Sequence, residues 1–356
     1  MKYIKERLDE FDANQFVNEL VMASKLLGLL EAKIAGYQFS KILIPMFHKK
    51  EAVSSMYIEG TQTTISDVFA NEVNVANTEN KIMVEVKNHT RTLIFGADVL
   101  RTEGFSNELV KKIHALMLSG IISKSKENTL GKYKTKDNYI VNSVGTVVFT
   151  PPSYKDTEKY MNELIKFMND ETDNINPLIK AAIAHAQFET IHPFEDGNGR
   201  VGRLLVSLYL FKAGVINFPF FYISEAISLD KAVYYNQLMS TRSGDYNEWI
   251  RFFLQKIIIQ AQIHIKYIDS LNSLYTKTKN MLINCVNSPK YDSIMECLFT
   301  QPILTSTYLA EKLEVSQGQA NRYLTALEEN HILQGDDRKR NRRYKFTELI
   351  NLAERV

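Results

Sequence analysis

One short segment of this chain concentrates residue types that do chemistry: His192-Pro193-Phe194-Glu195-Asp196-Gly197-Asn198-Gly199-Arg200-Val201-Gly202-Arg203. Apolar helical stretches lie on both sides of it, so it reads as a loop running into a helix N-terminus. Gly197 and Gly199 permit close backbone approach, and the free N–H groups of the following helix are suited to a phosphate. Arg200 and Arg203 are three residues apart, hence on one helix face, where guanidinium forks bind phosphate oxygens bidentately. Asp196 offers a hard carboxylate oxygen of the kind that holds Mg²⁺ beside substrate phosphates. His192 is a candidate general base because its ordinary pKa lies near neutrality. These parts describe a nucleotide-phosphate site with a metal and a proton acceptor.

At every specified position the segment resembles the Fic family signature HxFx(D/E)GNGRxxR. The resemblance extends to the preceding stretch, IKAAIAHAQFETIHPF, and to a hairpin over 139–154 that sits where the family's flap lies. It implies adenylyl transfer, in which AMP moves from ATP, with Mg²⁺, to a Ser, Thr or Tyr hydroxyl of a target protein or of the chain itself. By that resemblance His192 would deprotonate the hydroxyl, Phe194 would anchor the loop, and Asp196 would hold the metal. Gly197, Asn198 and Gly199 would form the anion hole, Arg200 would contact the β-phosphate region, and Arg203 the γ-phosphate. Flap residues Thr146, Val147, Val148 and Phe149 would take an extended target segment by strand addition.

Upstream, Ser55-Met56-Tyr57-Ile58-Glu59-Gly60 resembles the family's inhibitory motif (S/T)xxxE(G/N). Ser55 and Glu59 are i,i+4 and share one helix face. The resemblance implies that Glu59 pairs with Arg203 and blocks seating of the γ-phosphate, which places the chain in the intramolecularly inhibited class. It also implies, by analogy, a homodimer. Three other readings stay open: de-adenylylation with Glu59 positioning a water, phosphotransfer as in the Doc branch, and a DNA-binding regulator that uses the Fic core as a nucleotide sensor.

The elements that must position these residues are mostly helical. Apolar periodicity predicts two helices over 18–47, a helical block over 49–71, one or two helices over 75–100, and one from Phe105 to Ser119 closed at Gly120. Around Gly145 the run YIVNSVGTVVFTPPSY has the β-branched and aromatic texture of a hairpin. Helices resume at Thr157–Asn169, Pro177–Thr190, Gly199–Ala213, Asp230–Thr241 and Tyr246–Ile283. His185 and Glu189, one turn apart before the loop, read as braces of the fold.

The last seventy residues read as their own unit. Helices over 291–300, 306–313 and 317–330 have helix-turn-helix spacing across Glu314-Val315-Ser316, followed by a basic tip flanked by short strands. The expected class is therefore mainly α: a Fic-type helical fold with a β-hairpin flap and a C-terminal winged helix. The expected boundaries are 1–104, 105–285 and 286–356. Arg338, Lys339, Arg340, Arg342, Arg343 and Lys345 at the tip offer a surface for a DNA backbone, for an acidic protein, or for solvent alone.

Composition constrains the partners only weakly. Lys+Arg 43 against Asp+Glu 41 leaves a net charge of +2, so no global field points to nucleic acid or membrane. The two cysteines, Cys285 and Cys297, make no CxxC pair and suggest neither zinc nor redox chemistry. The opening MKYIKERLDEFDANQF lacks an apolar signal core, and the run Leu204–Phe211 falls short of the ~20 residues that span a bilayer. A soluble cytoplasmic protein is expected.

Overall fold

The computed structural model describes residues 12–36, 40–73, 81–141, 144–244, 246–286, 288–338 and 340–354. Outside these residues lie the start of the chain read above for a targeting signal, positions 75–80, Asn142 and Ser143 of the hairpin, and Lys339 of the tip.

The centre of the fold is the helix Pro177–Ile191, in which every residue from Leu178 onward is buried. A mostly apolar helix buried on every side belongs in a core, and Ala181, Ala182, Ala184 and Ala186 keep it slim enough for close neighbours. Pro177 stands in its first turn and the Asn176 side chain accepts from Leu178 N at 2.9 Å, fixing where the helix begins. Helices Thr157–Asn169, Asn198–Lys212, Lys231–Ser243 and the 39-residue helix Asn247–Cys285 pack around it. Helix Val17–Ala35 lies along the long helix, burying Ala23, Leu27, Leu30 and Ile34 at helical spacing.

The helix carrying Ser55 runs unbroken from Ser40 to Ile58, and Glu59 stands in the turn immediately after it. The sequence reading divides this stretch near residue 48; the structure breaks it instead at Gly36, a helix cap, and again at Gly60. The chain restarts at Ile65 behind a capping box in which Thr64 and Asp67 exchange hydrogen bonds. A single helix, Lys81–Leu100, then packs against both the Ser40–Ile58 helix and the helix that follows the loop.

The expected hairpin is present as Ile140–Val141 paired antiparallel with Val147–Phe149, turning at Gly145 with φ +80. Beyond the long helix come helices Tyr291–Thr300, Ser306–Leu313 and Gln317–Glu329 and a three-stranded antiparallel sheet. In that sheet Tyr344–Lys345 lies between Ile303–Leu304 and Gln334–Gly335. This C-terminal unit rests on the N-terminal helices. Gln301 Nε2 donates to Phe69 O at 3.3 Å, Lys50 Nζ donates to Ala353 O at 3.0 Å, and Thr347–Glu354 packs on Ile65–Glu72.

Candidate active site

His192 closes the central helix in the left-handed conformation, φ 49 and ψ 61, and so turns the chain sharply into the loop. Phe194 pins the loop: it is fully buried and stacks on His114 with ring centroids 3.9 Å apart. The Asn198 side chain turns inward, accepting from Phe194 N and donating to Phe194 O, both at 2.8 Å. Asn198 can therefore reach an anion only through its backbone N–H. Gly197, the N-cap, takes φ +75, and a side chain there would collide with Leu118. No side chain caps this helix, which leaves its opening N–H groups directed at the loop.

Several residues that periodicity does not single out hold the loop from behind. Gly131 N donates to His114 Nδ1 at 3.0 Å, so the ring proton sits on Nε2, which bonds Asp196 O at 3.1 Å. Burial keeps that ring neutral, with its pKa down at about 4. Lys134, nearly inaccessible, donates from its backbone N to Pro193 O at 2.8 Å and from Nζ to Ile191 O at 3.2 Å. Asn138 Nδ2 donates to His192 O at 3.1 Å and to Phe194 O at 3.0 Å. In sequence both residues sit in a polar turn, KTKDNY, and nothing local ties that turn to a loop more than fifty residues away.

The His192 imidazole is half-buried, and burial, followed by the Lys134 and Arg242 charges, lowers its pKa to about 4. At neutral pH it is uncharged and able to accept a proton. Asp196 is half-exposed at the loop mouth; its Oδ1 accepts from Gly197 N at 2.7 Å and lies 3.6 Å from Arg200. A single carboxylate completed by substrate phosphates is the usual holding of Mg²⁺, and this position fits it. Among the described residues no three His, Cys, Asp or Glu side chains gather into an all-protein cage.

Both arginines already face carboxylates. Arg200 Nη1 donates to Glu85 Oε1 at 2.8 Å, from the helix Lys81–Leu100. Arg203, with 2% of its side chain accessible, donates from Nη2 to Glu59 Oε1 at 2.7 Å. It also donates from Nε and Nη2 to Ser55 Oγ at 3.2 and 3.0 Å, and from Nη2 to Ser55 O at 3.1 Å. Burial alone would raise the Glu59 carboxyl, but the Arg203 charge and hydrogen bond, with Arg200 and His192, hold it below the ordinary range. Gly199 makes this approach feasible, because a side chain there would strike Glu59 Oε1. Gly60, at φ +96, turns the chain away one residue later.

The hairpin borders the same site. The Arg242 guanidinium lies 3.8 Å from the centre of the Phe149 ring, and its charge acts on both His192 and Glu189. Val147 and Val148 are exposed, and a two-stranded sheet leaves one edge of each strand unpaired. Thr146 lies in the turn just ahead of the second strand. His185 braces the core through Tyr234 Oη at 2.9 Å and through Trp249, whereas Glu189 faces His192. The basic tip stands apart in the C-terminal unit. There Arg342 makes a bidentate pair with Glu328 at 2.8 and 2.9 Å, and Arg338 lies 3.2 Å from Asp336.

Comparison with known proteins converges on one family. The Fic/DOC family matches residues 104–210, and the Fic/DOC family N-terminal region matches residues 17–98. The protein adenylyltransferase fic-1 of Caenorhabditis elegans is 35% identical over 105 residues, which cover 29% of this chain and 20% of that protein. The protein adenylyltransferase Fic of Nematostella vectensis is 33% identical over 127 residues, 34% of this chain and 26% of that one. The alignments thus span about a fifth to a quarter of those relatives. A crystal structure of a Fic family protein from Desulfovibrio desulfuricans G20 has the same fold, with TM-score 0.61 and 20% identity over 94% of this chain and 97% of that one. Among the described residues no helix is long and apolar enough to cross a membrane.

Proposed function

The chain belongs to the Fic/DOC family, and we propose that it is a self-inhibited protein adenylyltransferase that moves AMP from ATP to a hydroxyl of a target protein. The observation that carries this reading is Arg203, buried beside an uncapped helix N-terminus and occupied by Glu59 and Ser55. A guanidinium so placed is a phosphate site, and a carboxylate bonded to it competes for the same donors.

In the proposed reaction ATP lies along the loop with its phosphates toward the N–H groups of Asn198 and Gly199, Arg200 and Arg203. Asp196 would hold Mg²⁺, which supplies charge neutralisation on the phosphates. Neutral His192 takes the proton of the target hydroxyl as its oxygen bonds the α-phosphorus, and pyrophosphate leaves in line with the electron pair of the broken P–O bond. Most of the acceleration comes from positioning and charge neutralisation. The exposed strand Val147–Phe149 would set the register of the target segment. While Glu59 holds Arg203, the γ-phosphate has no seat.

We further read residues 286–356 as a winged helix. The pairing of Arg342 and Arg338 with acids of the same unit weakens the case for a DNA backbone.

Cell lysate incubated with the Glu59→Gly protein and ATP labelled at either the α- or the γ-phosphate tests the chemistry. Label in protein from α- but not γ-labelled ATP is expected. Label from the γ-position would mean phosphotransfer and overturn the reading.

A further inference from the structure

Resting on the adenylyl-transfer reading above, we propose that Glu189 is the positioning partner of His192: its buried carboxyl favours the Nδ1–H tautomer of the imidazole and stabilises the charge the ring gains with the target's proton. Three residues apart at the end of the central helix, the two side chains lie on the same face, and His192 Nδ1 is 4.0 Å from Glu189 Oε2. His192 Nδ1 and Glu189 Oε1 are both buried without a well-formed hydrogen bond among the described residues, and the acceptors beside the ring are the Glu189 backbone carbonyl and Oε2 of its carboxyl. The carboxyl turns Oε2 toward Nδ1 and Oε1 toward Gly202, and a ring nitrogen and a carboxyl at this separation can tighten into a hydrogen bond when substrate arrives.

Gly202 leaves room for this carboxyl. A side chain at position 202 would collide with Glu189 Oε1, so the glycine between Arg200 and Arg203 keeps the acid beside the loop helix. A bracing role explains His185, which bonds Tyr234, but it does not explain an ionisable group left without a partner against a glycine.

The proton inventory is simple. For Nε2 to accept the hydroxyl proton, Nδ1 must already carry one, and Nδ1–H needs an acceptor. After transfer the ring is an imidazolium with Nδ1–H toward Glu189, the role a carboxylate plays beside a catalytic histidine in hydrolytic triads. The charged and titratable neighbours of His192 are Glu189, Glu59, Lys134 and Arg242. Those of Glu189 are Arg203, Glu59, Arg242, His192, Tyr234 and Tyr235. Burial pushes the Glu189 carboxyl up to about 7, so the carboxylate is present above that pH and is lost as pH falls.

The test compares Glu59→Gly with Glu59→Gly/Glu189→Gln, in the full chain, by rate of AMP transfer against pH. The parent should show a rate step at or slightly below pH 7, because removing Glu59 removes a like charge from Glu189. Glu189→Gln should abolish that step and lower kcat by about tenfold to a hundredfold, with KM for ATP within about twofold. An unchanged kcat and pH profile would overturn the assignment, as would a loss confined to KM, which would place Glu189 with Arg203 at the nucleotide. A parent that transfers no AMP would instead sink the adenylyl-transfer reading. Should the Gln variant not fold, ¹⁵N NMR of His192 in the wild-type chain decides: a proton on Nδ1 supports the pairing, and one on Nε2 overturns it.

Discussion

Two arginine-rich segments of this chain meet carboxylates: the loop helix at Arg200 and Arg203, and the C-terminal tip between Arg338 and Lys345. At the tip, Arg342 makes the better fork, bidentate to Glu328, yet 38% of the arginine side chain and 30% of the glutamate remain accessible. On the loop helix, Arg203 has 2% of its side chain accessible although Glu59 keeps 35%, and its contacts come from the end of a different helix and the turn after it, far upstream in the sequence. An exposed pair is screened by water and contributes little, whereas a buried guanidinium must be satisfied by whatever anion reaches it. On the proposed function, that burial makes the Arg203 pair a switch, with Glu59 and a phosphate competing for one guanidinium.

Four substitutions sharpen this contrast. The largest effect is expected from His192→Ala in a Glu59→Gly background, where AMP incorporation should fall by roughly 10²–10⁴-fold while the melting temperature holds. A smaller loss would make the loop a binding site rather than a catalytic one. Next, Glu59→Gly should strengthen ATP binding by about tenfold or more, measured by calorimetry, because a charge-assisted bond to Arg203 becomes available to phosphate. Ser55→Ala removes only the hydroxyl contacts and should release the site by about threefold to tenfold. Smallest of all, Arg342→Ala should cost less than about 1 kcal/mol of stability and leave AMP transfer unchanged. An effect of Arg342 comparable to that of Glu59 would erase the distinction drawn between the two segments.

The parts of the site that were legible in sequence are those the chain keeps contiguous. From His192 to Arg203 the residues are neighbours in both sequence and space, and Ser55 with Glu59 share one helix face by simple spacing. The helical character followed from apolar periodicity, with errors at boundaries where Gly36 and Gly60, rather than a change in pattern, break the chain. The supports were hidden. Lys134 and Asn138 look like solvated turn residues until the fold carries them beneath the loop, and His114 looks like one histidine on an apolar helix. Glu85 and Arg242 lie on helices whose patterns report only which face is buried. Asn198 shows the limit within the motif itself: the resemblance implies a place in the anion hole, and the motif alone does not say that its side chain closes the loop against Phe194 and leaves only its backbone N–H for that role.

The central claim is that Glu59 and the γ-phosphate compete for Arg203. Wild-type and Glu59→Gly proteins, assayed side by side with α-labelled ATP and Mg²⁺ in the same lysate, test it most directly. Weak labelling by the wild type and strong labelling by the variant, abolished when His192→Ala is added, is the expected result. Equal labelling by wild type and variant would contradict it.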